Sequence, residues 1–324
     1  MQRGMQSLDR LREDAGRRRL RGKGHLSKVS RFGRPRVATK VPGVSVLLAL
    51  LSSVLWGTAD FLGGTATRRL PALTVVGASQ AVALLAVLPV ALAVGTQPQH
   101  PWSGVAAGLV GVVALGAFYA ALAGGTMSVV APIAALGAGV PVAVGLTRGE
   151  APSALQLAGI VVAIAGVVLA SGPELSGGAS PRPLLLAVVA AVGFGLVAVL
   201  LADGAKGSSG SVFVTLLLMR AASVGALVLA LVVAGSARRV VPRRRPASGD
   251  VLLLSATGLG DIGANACFAV ASRHGLLSVV SVLASLYPVV TIGLARRVHA
   301  ERIRPIQIFG ILATLTGVAL LVAG

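Results

Sequence analysis

The sequence predicts an all-α polytopic membrane protein, with ten transmembrane helices arranged as two inverted five-helix repeats. Three observations lead there. Hydrophobic residues fill 55% of the 324 positions and charged residues 12%, against about 25% charged in a soluble domain. The apolar residues come in blocks of about 20, the length needed to cross the hydrocarbon core. The second half of the chain also repeats signatures of the first. This composition excludes a soluble enzyme with a water-facing surface all round.

The elements follow in chain order. Residues 1–43 form a basic tail: positions 1–40 hold 13 of the 29 Lys and Arg and 3 of the 10 Asp and Glu, giving +10 of the net +19. With almost no apolar periodicity this segment cannot bury enough surface to offset its ordering entropy, so it is expected to be disordered. Such a charge run suits anionic lipid or nucleic acid. A solvated cytoplasmic tail, or an over-long start, is the plainer account, and no nucleic-acid partner is expected. The apolar run that follows is too long for a signal peptide, contains Asp60 and lacks a small-residue cleavage site.

Ten spans come next: 44–66, 71–95, 102–123, 127–146, 153–171, 183–202, 211–235, 250–272, 275–295 and 305–323. Loops are short, and the longest, near 236–249, is Arg-rich. No room remains for a soluble catalytic domain, so function has to sit among the helices, with the lipid bilayer as their solvent.

The internal repeat is carried by rare residues. Glu150-Ala-Pro-Ser-Ala-Leu-Gln156 leads into Gly159 and Gly166, and Glu301-Arg-Ile-Arg-Pro-Ile-Gln307 leads into Gly310 and Gly317 with the same spacing. Ser128-Val129-Val130 matches Ser278-Val279-Val280, and Trp56-Gly57 parallels Phe194-Gly195. The repeats are therefore residues 44–171 and 183–323. Five crossings is odd, so the second repeat is inverted relative to the first. Inverted repeats recur in secondary transporters, where the substrate site lies near the midplane between the halves.

Loop charge speaks twice on orientation. The basic tail argues for an inside N-terminus. Arg68, Arg69, the cluster Arg238, Arg239, Arg243, Arg244 and Arg245, and Arg296, Arg297, Arg302 and Arg304 fall on loops that would then lie outside. The two signals conflict.

Leu55-Trp56-Gly57-Thr58-Ala59-Asp60-Phe61 in the first span, together with the Glu-led segments before the fifth and tenth, resembles the EamA family of the drug/metabolite transporter superfamily. The resemblance covers nearly everything after residue 43, and departs from the family pattern at Phe194, where the first repeat has Trp. It implies a ten-helix secondary transporter of the inner (plasma) membrane, multi-pass, with both termini cytoplasmic, often exporting amino acids or other small metabolites.

Charges at span centres mark the candidate site, because each costs about 2.5–3.5 kcal/mol to insert. Asp60, Arg220 and Asp261 lie well inside spans, Asn265 follows Asp261 on the same helix face, and Trp56 stands one turn before Asp60. Two uses fit: a carboxylate binding an amine or proton with Arg220 binding a carboxylate, or a structural ion pair between Arg220 and either Asp. Gln80, Tyr119 and Tyr287 are weaker candidates for cavity lining, since polar side chains also bond neighbouring helices. Pro132, Gly137, Gly139 and Pro141 interrupt the fourth span and Tyr287-Pro288 its counterpart, the ninth, as hinges near a site do. Glu150 and Glu301, at helix starts, are read as structural.

Other chemistry is not expected. Cys267 has no partner cysteine and sits in an apolar block, and His25, His100, His274 and His299 fall in the tail or loops without metal-ligand spacing. Gly258-Leu-Gly260 lies within a span and makes no phosphate loop. No metal, no cofactor and no enzymatic activity are expected. The partners are a small-molecule substrate, with a proton or another coupling ion, and a homodimer is compatible with such a fold. The expected function is export of an amino acid or similar metabolite by alternating access. The alternatives are uptake of a sugar or nucleoside, extrusion of a drug-like cation, or a non-transporting scaffold that recruits through its tail.

Overall fold

The computed structural model describes residues 42–94, 99–170, 181–208, 210–233, 247–299 and 305–324. The basic tail up to residue 41, the Arg238, Arg239, Arg243, Arg244 and Arg245 cluster, and Glu301, Arg302 and Arg304 lie outside the described residues.

All described secondary structure is helical. The first three spans are Gly43–Thr67, Ala72–Val94 and Pro101–Gly124, the fifth to eighth are Ala154–Ala170, Pro181–Gly204, Ser211–Val233 and Ser248–His274, and the tenth is Pro305–Ala323. The fourth and ninth are broken where the sequence predicts. The fourth runs Met127–Ala135, a 3₁₀ turn Leu136–Ala138, then Gly139–Thr147, and the ninth runs Leu277–Ala284 and Tyr287–His299. Pro288 sits in the first turn of its half-helix, where a missing N–H costs little. Among the described residues nine spans are long and apolar enough to cross a membrane. The fifth has 17 residues and is about 25 Å long, short of the roughly 30 Å hydrocarbon core. His274 and His299, expected in loops, instead end the eighth span and the ninth.

The repeated Glu and Gln motif resolves into two devices. Ser153 and Gln156 form a reciprocal capping box at the start of the fifth span, Gln156 N–H donating to Ser153 Oγ at 3.1 Å and Ser153 N–H to Gln156 Oε1 at 2.9 Å. Glu150 does not serve its own helix. Its two carboxylate oxygens accept the N–H groups of Leu277 and Ser278 at 2.6 and 2.9 Å, capping the ninth span in the other repeat.

Packing repeats as faithfully as sequence. The first span lies against the eighth and the third against the sixth, the second meets the seventh, and the fifth meets the tenth. A Cβ placed on Gly57 would strike the Tyr287 carbonyl and Val290, and one on Gly195 would strike the Gly137 carbonyl and Val140. Likewise Gly108 lies on the Met219 carbonyl and Ala222, and Gly258 on the Ser79 carbonyl and Val82. Exchanging the repeats maps each contact onto the other. The motif glycines make the fifth–tenth seam, Gly166 lying against Thr314 and Gly310, and Gly317 against Ala163.

Outward faces carry apolar side chains such as Leu85, Val113, Val161, Leu229, Leu252 and Phe309, all exposed. Polar and charged groups such as Asp60, Gln80, Arg220 and Asn265 are buried inside. This inside-out distribution suits lipid rather than water.

Candidate functional site

A cavity of about 100 Å³, partly open to the outside, lies between the repeats. Gln80 and Arg220, on the second and seventh spans, line it and are repeat counterparts: Ser79 and Met219, the residues just before them, receive Gly258 and Gly108 in matching contacts. They meet directly, Arg220 Nη1 donating to Gln80 Oε1 at 2.7 Å. Arg220 Nη2 stands 2.9 Å from Asp261 Oδ2, an ion pair outside hydrogen-bond alignment. Arg220 is 2% exposed and its Nε has no partner, so the guanidinium is a buried part of the cavity wall, held by Gln80 and Asp261.

Asp261 is well engaged. Besides Arg220 it accepts Trp56 Nε1 at 3.2 Å and Asn265 Nδ2 at 2.9 Å, both on Oδ1. The one-turn spacing of Asp261 and Asn265 seen in the sequence is thus a local clamp. The Trp56 indole also lies 5.7 Å from Phe268, tilted by 39°.

Asp60 differs. It lines the same cavity, is 8% exposed, and has neither a hydrogen bond nor an ion pair among the described residues. Two hydroxyls on the ninth span share this condition: Tyr287 Oη and Ser281 Oγ are buried, line the cavity and have no hydrogen-bond partner. Buried polar groups are ordinarily paired, and leaving one unpaired costs about 1–3 kcal/mol. Asp60, these two hydroxyls and the Arg220 Nε and Nη2 atoms, all without a hydrogen bond around one cavity, are arranged for a ligand.

Of the candidates from sequence, Asp60, Asp261, Arg220, Asn265, Trp56, Gln80 and Tyr287 all line the cavity. Tyr119 does not. Its ring is buried against Gly63, the small residue that makes room for the phenol, and beside Phe118 at 5.8 Å. Phe194, Phe268, Ser281 and Ser285 also line the cavity without having been candidates. Ser281 and Ser285 sit one turn apart just before the break in the ninth span, a signal legible only once the break is known to face a cavity. Among the described residues no three of His, Cys, Asp and Glu gather as metal ligands.

A family model for EamA-like transporters matches residues 43–172 and again 181–323. The chain belongs to the EamA-like transporter family. It is a multi-pass membrane transporter, and the two EamA matches coincide with the two mutually exchangeable sets of five spans. The fold of EamA members extends to a solved structure titled only as the crystal structure of a protein, 20% identical, with a TM-score of 0.65 over 85% of this chain and 95% of that one. Comparison with curated proteins gives no match.

Proposed function

We propose that this EamA-like transporter works as a secondary transporter by alternating access, exporting a small amine-bearing metabolite across the inner membrane, with Asp60 as the amine or proton site. Amines and amides related to the amino acids are the compound class. The observation that carries this reading is Asp60 itself: a buried carboxylate without a partner, on a cavity at the seam of two exchangeable halves. A charge left so deep in a bundle is costly unless something neutralises it, and a proton or an ammonium does so in turn. Competition between the two for one carboxylate would couple outward movement of cargo to inward movement of protons. Asp261, clamped by Arg220, Asn265 and Trp56, supports the scaffold of the site more than its chemistry.

The test is an efflux panel. Cells with wild type, Asp60→Asn or empty vector are loaded with a mixed pool of amino acids, amines and other metabolites, and the medium is followed by mass spectrometry. The expected result is one compound class leaving faster with wild type and returning to the vector rate in Asp60→Asn at equal membrane abundance. Equal rates for every compound in wild type and vector would overturn export.

A further inference from the structure

The repeats are equivalent in backbone packing but not in the chemistry they bring to the cavity. The Gly57–Tyr287 and Gly195–Gly137 contacts pair Trp56 with Phe194 and Tyr287 with Gly137, and one turn on from Trp56 and Phe194 they pair Asp60 with Ala198. The Gly258 and Gly108 contacts pair Asp261 with Gly111 and Asn265 with Leu115 in the same way. All of these residues line the cavity. Every hydrogen-bonding or charged member belongs to the first, eighth and ninth spans, and every counterpart on the sixth, third and fourth is apolar or lacks a side chain. Between them, where each repeat supplies the equivalent residue, stand Gln80 and Arg220. Gly111 also leaves open volume: a Cβ there would meet Val197 and Met219 only at ordinary contact distances of 3.5 and 3.6 Å.

Charge is divided just as unevenly. The cavity holds two carboxylates, Asp60 and Asp261, and one guanidinium, Arg220. The guanidinium is ion-paired to Asp261, bonded to Gln80 and buried. One negative charge is left over, at Asp60, and the single cation is already neutralised by Asp261, although its Nε and Nη2 make no hydrogen bond. A cargo carboxylate would have to displace Asp261 or lie unpaired in a low-dielectric cavity, which is strongly unfavourable.

Resting on the transporter reading only in taking this cavity as the cargo site, we propose that the site selects monocations with an apolar body and rejects zwitterions and anions. The ammonium sits on the Asp60 side, with the Tyr287 and Ser281 hydroxyls and the Trp56 ring face available to it. The body lies against Phe194, Leu115 and Ala198, filling the space left by Gly111.

The test is equilibrium binding to the purified full-length protein in lipid nanodiscs, using three probes that share one ring: phenylalanine amide, phenylalanine and 3-phenylpropionate. The amide is expected to bind at least about tenfold more tightly than the zwitterion, and 3-phenylpropionate most weakly. Asp60→Asn should remove the preference for the amide. Asp261→Asn, which frees Arg220, should narrow or reverse the ratio of amide to zwitterion, a change that simple loss of folding does not produce. Wild type binding phenylalanine as tightly as its amide, or binding none of the three, overturns the proposal. The transporter reading fails separately: amide that binds to the nanodiscs yet never leaves loaded cells faster than in the vector control would sink export and leave the selectivity standing.

Discussion

Arg220 and Gln80 occupy equivalent positions in the two repeats, and the Arg220 guanidinium donates to the Gln80 amide oxygen at 2.7 Å across the seam. Where the second and seventh spans present the same position to each other, one offers a cation and the other a neutral acceptor. Two arginines there would repel, and two glutamines would leave Asp261 without its counter-ion. The asymmetry of the whole cavity starts from this pair.

Removing Arg220 leaves Asp261 without its cation. Arg220→Ala should cost about 3–5 kcal/mol, and Asp261→Leu a comparable amount by stranding Arg220. The double variant Arg220→Met with Asp261→Leu should recover much of that loss, because neither charge is then left alone. Unfolding midpoints in detergent measure this, and strictly additive losses would refute the pairing.

Gly57 and Gly195 should respond alike to alanine. Each lies on the backbone of the broken span of the other repeat, so a methyl group forces the helices apart at about 1–3 kcal/mol. Gly43, with open space around its Cβ position, is the control and should tolerate alanine with little change. The unfolding midpoints of the three variants decide it.

Loss of Glu150 should loosen the ninth span rather than the fifth. Glu150→Ala strips two backbone N–H groups of their acceptor, at a cost of about 1–2 kcal/mol by analogy with other helix caps. Hydrogen exchange should rise at Leu277 and Ser278 while the start of the fifth span, capped by Ser153 and Gln156, stays protected. Faster exchange at residues 154–157 instead would contradict it.

Near the same end, Asp203 binds Arg148 and Lys206 at 2.7 Å each. Both basic side chains are exposed, at 44% and 56%, so solvent screens the network. Asp203→Asn should therefore lower stability by no more than about 1 kcal/mol, and raised salt should shrink the difference from wild type. Unfolding at low and high ionic strength measures both, and a large loss insensitive to salt would show the network to be more than a surface clasp.

The sequence by itself determined the order of the apolar helices, the two repeats, the interruptions of the fourth and ninth, and which charges lie inside the bundle. These are local properties. Hydropathy over 20 residues, a proline within a helix and the insertion cost of one aspartate need no knowledge of neighbours. The glycines of the two Glu-led motifs were legible for the same reason, since their spacing alone puts them on one helix face.

Pairing is another matter, because it joins residues far apart in the chain. Arg220 had two carboxylates within its repertoire, and only the approach of the seventh and eighth spans gave it to Asp261 and left Asp60 bare. Glu150 read as a cap for the helix that follows it, and only the tertiary structure brought the ninth span, 127 residues on, to its oxygens. Tyr119 and Tyr287 looked alike as buried tyrosines in spans. A glycine on the first helix made room for Tyr119 in the packing, while a break in the ninth turned Tyr287 towards the cavity. Burial follows from composition along the chain, whereas the choice among buried partners depends on distances that only the packed bundle sets.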